Sequence, residues 1–332
     1  MSLGRSAGLT DTGRRRRRNE DSYVCEPPLF AIADGMGGAR AGEVASRLAA
    51  SVLQEAGGRQ LSRDELLELI EEANRRVFAR SNEDEETSGM GTTMTVALVA
   101  GTSITFGHVG DSRAYRVRGG VIEQLTDDHS LVGELVRSGR LSPEEAELHP
   151  QRSVITRALG TEPDVDVDTF AVEAEAGDLY LLCSDGLTDM LSDAEILGVL
   201  DGADDVDSVA RRLVEAANSH GGEDNITVVV FEIAEADAEQ TVRLPAAAAS
   251  AAAEPDLEDT LSGLEGVPAV DTAVVPAEEI AAHLEREEQE QPSRPRRDRR
   301  RSQSQSLSLL PLVLLVLVLL ALALLVVWGL YR

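Results

Sequence analysis

A run of 22 residues without a charge, residues 309–330, is the feature that most limits what this 332-residue chain can fold into. As a helix, such a run extends about 33 Å, close to the roughly 30 Å hydrocarbon core of a bilayer. Trp328 and Tyr331 lie at its far end, where amphipathic rings favour the membrane interface. The sequence therefore predicts one transmembrane helix over residues 309–330.

Residues 292–308, directly before this run, contain six Arg and one Asp. A basic flank stays on the cytoplasmic side of a membrane, and each Arg near the surface is attracted to anionic lipid headgroups. We therefore expect a single-pass protein of the cell membrane. Its large N-terminal part would face the cytoplasm, with anionic lipid around the juxtamembrane arginines.

Residues 236–291 form an acidic segment rich in Ala, Glu and Pro, with 14 acidic residues, two Arg and no aromatic residue. So little apolar surface cannot offset the conformational entropy of the chain, and the like charges repel one another. We predict a disordered linker here, which leaves residues 1–235 as the globular domain.

Composition excludes several kinds of site. All 31 basic residues are Arg, and the absence of Lys excludes chemistry that needs a lysine ammonium, such as a P-loop or a Schiff base. The two cysteines, Cys25 and Cys183, are too few for a disulfide framework or an all-cysteine zinc site. A net charge of −28 opposes binding of nucleic acid, because phosphates are repelled, and favours a site that collects cations.

Apolar periodicity in residues 1–235 predicts helices and strands that group by type. Helical spacing predicts helices over 40–56, 64–80 and 205–218, and capping boxes at Ser142 and Ser192 mark the starts of two shorter ones. Apolar runs bounded by turn residues predict strands over 29–33, 92–100, 103–109, 113–118, 121–125, 165–172, 178–184 and 225–233. Because strands cluster and helices come in pairs, we expect an α+β fold with antiparallel sheets.

Several aspartates stand at the ends of apolar strands, beside small residues: Asp34, Asp111, Asp185 and Asp224, with Asp21 before a further apolar stretch. A carboxylate at the end of a buried strand is costly unless something positive compensates it. Any one of them alone is most simply a turn residue, since Asp is common in turns. Four together indicate convergence on divalent cations, because Mg²⁺ and Mn²⁺ prefer hard oxygen ligands.

Eight short blocks occur along the chain in the order NED, ADGMGG, GTTMTV, VGDSRAYR, LTDDHS, ITRALG, SDGLTD and EDNITVVV. In order and approximate spacing they resemble the metal-dependent PP2C-type (PPM) serine/threonine protein phosphatases, above all the bacterial membrane-anchored members. The resemblance covers about residues 9–233. It implies an α-β-β-α sandwich of two antiparallel sheets flanked by helix pairs, with a small flap subdomain at about residues 131–160.

The resemblance also implies a centre of two Mn²⁺ or Mg²⁺ ions, with a third, weaker site. Asp34 would bridge the two ions, and the carbonyl of Gly35 would serve one of them. The other implied ligands are Asp185 and Asp224 at the first ion, Glu20 and Asp21 around the second, and Asp111 with Asp185 at the third site. Thr92 and Thr93, in the GTTMTV block, we interpret as packing residues.

By the same resemblance, a phosphate-binding arginine lies five residues before the aspartate of NED, which gives Arg16. Arginine suits this role because its guanidinium binds phosphate bidentately. Arg16 lies inside an unbroken run of arginines, residues 14–18, so which of the five binds phosphate stays open at this point.

These residues predict a phosphatase that hydrolyses phosphoserine and phosphothreonine on proteins with metal-activated water, counteracting serine/threonine kinases that include membrane-anchored ones. Two alternatives stay open. The first is a regulatory phosphatase acting on an anti-sigma antagonist in a stress pathway. The second is a membrane-anchored binding scaffold, with the arginine runs 14–18 and 294–301 as nucleic-acid patches. Neither run contains an aromatic residue for base stacking, which disfavours the scaffold.

Overall fold

The computed structural model describes residues 2–37, 41–83, 86–201, 205–235 and 273–274. The basic segment 292–308, the helix predicted over 309–330 and all of the predicted linker apart from 273–274 lie outside the described residues, so these stay predictions. Within the described part of the chain, no helix is long and apolar enough to cross a membrane.

Strands and helices in the described residues group by type along the chain, as the α+β prediction requires. The strands are β1 (Ser2–Asp11), β2 (Asp21–Glu26), β3 (Leu29–Met36), β4 (Gly91–Thr92), β5 (Met94–Ala100), β6 (Ser103–Val109), β7 (Arg113–Arg118), β8 (Val121–Gln124), β9 (Val154–Ile155), β10 (Asp168–Glu173), β11 (Leu179–Cys183), β12 (Ile226–Ala234) and β13 (Ala273–Val274). The helices are α1 (Ala41–Glu55), α2 (Arg63–Ser81), α3 (Leu131–Arg137), α4 (Pro143–Glu147), α5 (Asp185–Thr188), α6 (Asp193–Leu200) and α7 (Val206–Ser219).

Two sheets of antiparallel strands contain all of these strands except β9 and β13. The first sheet has the spatial order β1, β12, β11, β7, β8. The second has the order β10, β6, β5, β3, β2, with β4 paired to β3 at the side. Neighbours in space are mostly neighbours or near neighbours in sequence, which short connections permit in antiparallel sheets.

The two sheets enclose an apolar layer between them. Phe30 on β3 stacks on Phe231 on β12 with ring centroids 4.3 Å apart, and Tyr180 on β11 stacks on Phe231 at 5.2 Å. All three rings are fully buried. Aromatic rings removed from water contribute strongly to stability, so this layer fixes the two sheets relative to each other.

Helices cover the outer faces of both sheets. Leu53 of α1 and Leu66 of α2 belong to the core on the outside of the second sheet. Ile196 of α6 and Leu213 of α7 belong to the core on the outside of the first sheet. The layers therefore follow the order helix, sheet, sheet, helix, which confirms the predicted α-β-β-α sandwich.

The segment predicted as a flap, residues 131–160, contains α3, α4 and β9. The capping box at Ser142 is present at the start of α4, as is the one at Ser192 at the start of α6. Strand β9 pairs in parallel with β13, with Ala273 opposite Val154. Two residues of the segment predicted as a disordered linker therefore form a short strand beside the flap.

Strands β1 and β10 are among those that differ from the prediction. No strand was expected over residues 2–11, because SLGRSAGLTD has small residues and no alternation of large apolar side chains; pairing with β12 makes it a strand. Strand β10 begins at Asp168 rather than at residue 165. Val165 and Val167 pack against the core beside the second sheet instead. The apolar pattern that predicted a strand at these two positions therefore reflects core packing and not strand pairing.

Candidate active site

Asp21 and Asp34 lie directly opposite each other, Asp21 at the start of β2 and Asp34 near the end of β3. The backbone of Asp34 is held on both sides: its N–H donates to Thr93 Oγ1 at 3.0 Å, and its carbonyl accepts from Thr93 N–H and Thr92 Oγ1 at 2.8 Å each. Thr92 and Thr93 are fully buried, as packing residues are. They also fix the position of Asp34, which the sequence interpretation missed.

The other aspartates come from the turns and strand ends of the first sheet. Asp185 opens α5 after β11, and Asp224 stands just before β12. Strands β11 and β12 are antiparallel neighbours, and Ser184 N–H donates to the carbonyl of Thr227 at 3.0 Å, so the end of one strand meets the start of the other. Asp111 lies where the chain passes from β6 in the second sheet to β7 in the first.

Burial and neighbouring charges raise the pKa values of Asp21, Asp34, Asp111 and Asp185. Burial, opposed by hydrogen bonds to the carboxylate, raises the pKa of Asp21 to about 7. Burial raises the pKa of Asp111 to about 7 as well. The pKa values of Asp34 and Asp185 lie well above their usual range, first because of burial and then because of the neighbouring aspartates. Acidic groups perturbed in this way mark a candidate functional site.

Three of these carboxyl groups each bury one oxygen, Oδ1, that no hydrogen-bond donor reaches: those of Asp21, Asp111 and Asp185. Buried oxygens are normally paired, because an unpaired one costs free energy. A cluster of carboxylates without sulfur is a donor set that suits Mg²⁺ or Mn²⁺. The residues thus fit divalent cations, although among the described residues no three His, Cys, Asp or Glu side chains are arranged to hold one ion.

Arg16 is the arginine of the run 14–18 that turns toward the carboxylates. Its Nη2 donates to Oδ2 of Asp224 at 2.7 Å. Its side chain is 23% exposed, whereas the other four arginines of the run are exposed residues. Burial lowers the pKa of Arg16, but the charges of Asp224, Asp185 and Asp34 outweigh it and raise that pKa above its usual value. Arg16 is thus the least exposed of the five arginines and is bonded to Asp224.

Glu20 and Gly35 are joined through their main chains, since Gly35 N–H donates to the carbonyl of Glu20 at 3.1 Å. No side chain fits at Gly35: a Cβ would stand 2.1 Å from the carbonyl oxygen of Gly42, in the first turn of α1. The Glu20 carboxyl group is half-buried, and burial raises its pKa. Both residues thus lie at the same end of the sandwich as Asp21 and Asp34.

Asn225 fastens the arginine loop to the first sheet and was not identified from the sequence. Its Nδ2 donates to the carbonyls of Thr12 and Arg18 at 2.9 and 2.8 Å, and its Oδ1 accepts from Glu20 N–H at 2.8 Å. The available signal was its place directly after Asp224 in the EDNITVVV block. Hydrogen bonds to the main chain on both sides of the arginine run hold that loop beside the carboxylates.

The flap segment contacts the elements that form the site. Ile155 of β9 and Ala158 pack on Met36, the last residue of β3. Arg152 Nε lies 3.6 Å from Oδ2 of Asp189, which caps the C-terminal end of α5. The flap therefore borders the strand and the helix that carry Asp34 and Asp185.

A family model described as protein phosphatase 2C matches residues 15–228, more than half of the chain. The serine/threonine phosphatase stp of Listeria innocua is 42% identical over 235 residues, which are 67% of this chain and 93% of that protein. The residues matched by the family model, 15–228, include Asp21, Asp34, Asp111, Asp185 and Asp224.

Solved structures give the same relationship. The crystal structure of the Mycobacterium tuberculosis serine/threonine phosphatase PstP/Ppp superposes with a TM-score of 0.68 at 42% identity, and the match covers 70% of this chain and 100% of that one. The catalytic domain of PstP in complex with two manganese ions gives a TM-score of 0.66 at 40% identity, covering 70% and 99%. By sequence and by fold, this chain belongs to the protein phosphatase 2C family.

Proposed function

We propose that this protein hydrolyses phosphoserine and phosphothreonine residues of other proteins, with Mn²⁺ or Mg²⁺ bound at the carboxylate cluster. The observation that carries the proposal is the position of Arg16, whose guanidinium lies 2.7 Å from Asp224 at the edge of a group of buried aspartates with raised pKa values. Buried carboxylates can bind divalent cations, and those cations attract phosphate. An arginine beside them can bind the same phosphate through its guanidinium.

The residues that would hold two ions, and a third more weakly, are Asp34, Gly35 through its carbonyl, Asp185, Asp224, Glu20, Asp21 and Asp111. The manganese complex of the PstP catalytic domain supports this choice of metal. When bound, the ions offset the charge of the phosphoryl oxygens and activate water for attack on phosphorus. The unpaired Oδ1 atoms of Asp21, Asp111 and Asp185 are the free acceptors that such ions need.

Arg16 orients the phosphate. A guanidinium has five N–H donors, so the bond to Asp224 leaves others for two phosphate oxygens. Asp224 is itself fixed, because its Oδ1 accepts from Asn225 N–H at 2.7 Å. Arg16 is thereby preorganised for a bidentate contact, which lowers the cost of ordering it when substrate binds.

Neither cysteine supplies a nucleophile for a phosphoenzyme. Burial raises the pKa of Cys183 to about 12, and burial also raises that of Cys25 above its usual value. Both thiols stay protonated near neutral pH, and the thiolate is the nucleophilic form of cysteine. The raised pKa values of both thiols therefore disfavour a cysteine phosphoenzyme, as the proposed direct attack by water requires.

We further propose that residues 309–330 anchor the protein in the cell membrane, with the catalytic domain in the cytoplasm and anionic lipid at the arginines of 292–308. A flexible chain as long as the 56-residue segment 236–291 has a root-mean-square reach of roughly 40 Å. This reach keeps the domain near the membrane, so its phosphoprotein substrates would include membrane serine/threonine kinases. The charge pattern of the sequence supports this arrangement.

Replacing Asp34 by Asn is expected to lower kcat/KM on a phosphothreonine peptide at least about a thousandfold, because a metal-binding charge is lost. Chelation of divalent ions is expected to have the same effect on the unchanged protein. Asp64→Asn, at an exposed position in the first turn of α2, is the matched control and should leave the rate unchanged. Peptide hydrolysis that survives chelation would contradict the metal mechanism.

Replacing Arg16 by Lys keeps the charge but removes the planar fork. We expect kcat/KM on phosphopeptides to fall about 10- to 100-fold, since a charge-assisted bond contributes about 1.5–3 kcal/mol. Arg17→Lys is the control within the same run, because Arg17 is exposed. Equal losses in the two variants, measured by steady-state kinetics, would show that Arg16 has no special role.

In the presence of chelator, the stability of the protein should fall as pH rises. In the folded state Asp21 and Asp111 keep their protons up to about pH 7, whereas in the unfolded chain they lose them near the usual pKa of 3.8. Between these two pH values the folded state binds more protons than the unfolded chain, so the free energy of unfolding falls as pH rises. We expect Tm in chelator to be several degrees lower at pH 8 than at pH 5.5, since about 1 kcal/mol shifts Tm by about 2–4 °C.

Added Mn²⁺ should raise Tm more at pH 8 than at pH 5.5, because protons compete with the ion for the same oxygens. Asp111→Asn removes one titrating group and should flatten the dependence measured in chelator. A Tm that rises between pH 5.5 and 8 in chelator would contradict the raised pKa values.

Removing residues 309–332 is expected to shift the protein from the membrane fraction to the soluble fraction. Deleting 236–291 instead should lower activity on a membrane-anchored phosphoprotein about tenfold or more, because the domain loses its reach. A soluble phosphopeptide is the control substrate, since this deletion also removes Ala273–Val274 beside the flap. Equal losses on both substrates would exclude tethering as the role of the linker.

A further inference from the structure

A cavity of about 550 Å³ opens between the end of the arginine run and α1, lined by Arg18, Asn19, Glu43 and Arg47. Its volume is within the range of about 300–1,000 Å³ that is typical of ligand sites, and it is open to solvent, since Arg18 and Arg47 are exposed. None of these four residues belongs to the metal ligands or the phosphate-binding arginine described above.

The cavity adjoins the carboxylate cluster through Glu20. The Glu20 carboxyl carbon lies 3.0 Å from the position of a Cβ on Gly42, the residue before Glu43. Burial is the main cause of the raised pKa of Glu20, and the charges of Glu43 and Arg18 act on it as well. An anion in the cavity would therefore sit next to the catalytic end of the sandwich.

One wall of the cavity is fixed to that cluster. Asn19 Nδ2 donates to Thr10 Oγ1 at 2.8 Å, and Asn19 Oδ1 accepts from Asp21 N–H at 3.1 Å. These two hydrogen bonds fix the orientation of the Asn19 side chain and leave Nδ2 a second N–H donor. The charges in the lining come from Arg18, Glu43 and Arg47.

The charged lining has a positive balance of two arginines against one glutamate. Arg47 Nη2 contacts Glu43 Oε1 at 2.7 Å across one turn of α1, and the Arg47 side chain stays 72% exposed. That contact uses one of five N–H donors, so the guanidinium keeps donors for a second oxyanion. The domain has twice as many acidic as basic residues, so most of its surface repels anions. The positively charged lining of this cavity would attract an anionic substrate instead.

We propose that this cavity is a substrate subsite, in which Arg47 and Arg18 bind a second anionic side chain of the phosphoprotein, a carboxylate or a further phosphate. The proposal rests on the proposed phosphatase function. Arg18 is two residues from Arg16 in the chain, so the second anion would belong to a residue that is a near neighbour in sequence of the phosphoresidue that is hydrolysed.

The test compares three phosphothreonine peptides that differ at one position, two residues from the phosphothreonine: Ala, Glu or phosphoserine. The full-length protein should show a higher kcat/KM for the anionic peptides, mainly through a lower KM, and the Glu and phosphoserine peptides separate carboxylate from phosphate as the preferred anion. Both orientations of the peptide, with the variable position before or after the phosphothreonine, are needed.

In Arg47→Gln the preference for an anionic peptide over the Ala peptide should fall about fivefold or more, as expected for loss of a partly exposed charge-assisted contact. Glu43→Gln should shift it in the opposite direction, since a competing carboxylate is removed. Arg211→Gln, an exposed arginine of α7 on the opposite outer face of the sandwich, is the matched control and should keep the preference.

A wild-type enzyme that hydrolyses all the peptides at equal kcat/KM would overturn the subsite while leaving the phosphatase function intact. So would a preference that persists in Arg47→Gln. Failure to hydrolyse any phosphopeptide in the presence of Mn²⁺ or Mg²⁺ would instead overturn the proposed function, and the subsite with it.

Discussion

Repulsion within a buried group of aspartates is the constraint on which the rest of this structure depends. Asp34 and Asp185 have pKa values well above their usual range because burial and neighbouring charges disfavour the ionised form. Such a cluster costs stability, so it needs a rigid frame that holds it in place. The aromatic layer between the sheets, with Phe30 stacked on Phe231, supplies that frame at a distance from the charges.

All Lys and Arg residues of this chain are Arg, and individual arginines take different roles according to where they lie in the fold. Arg16 is drawn in by Asp224 and fixed there. Arg47 stays largely exposed beside Glu43, in a cavity that borders the same site. A guanidinium bound to one carboxylate still has donors for another oxyanion, which lets one residue type both balance the acidic cluster and bind anionic substrates.

Much of the fold and of the site could be predicted from the chain. The strands that deliver Asp34 and Asp185 are strongly apolar, and the capping boxes at Ser142 and Ser192 are local features that survive in the fold. Strand β1 could not be predicted, since only its pairing with β12 makes it a strand. The same holds for Thr93 and Asn225, whose hydrogen bonds join segments that are distant in sequence.

The sequence by itself determined which residue types lie at the strand ends, because apolar periodicity and turn residues act locally. It also determined that arginine takes every role that needs a Lys or Arg charge. Only the tertiary structure decided which arginine of the run 14–18 faces the site. In the sequence, only the spacing to NED in the family resemblance singled out Arg16 among five identical side chains. The contact that holds Arg16 in the site is with Asp224, about two hundred residues away in the chain. The cavity beside Glu20 likewise exists only because α1 packs against the loop that follows the arginine run.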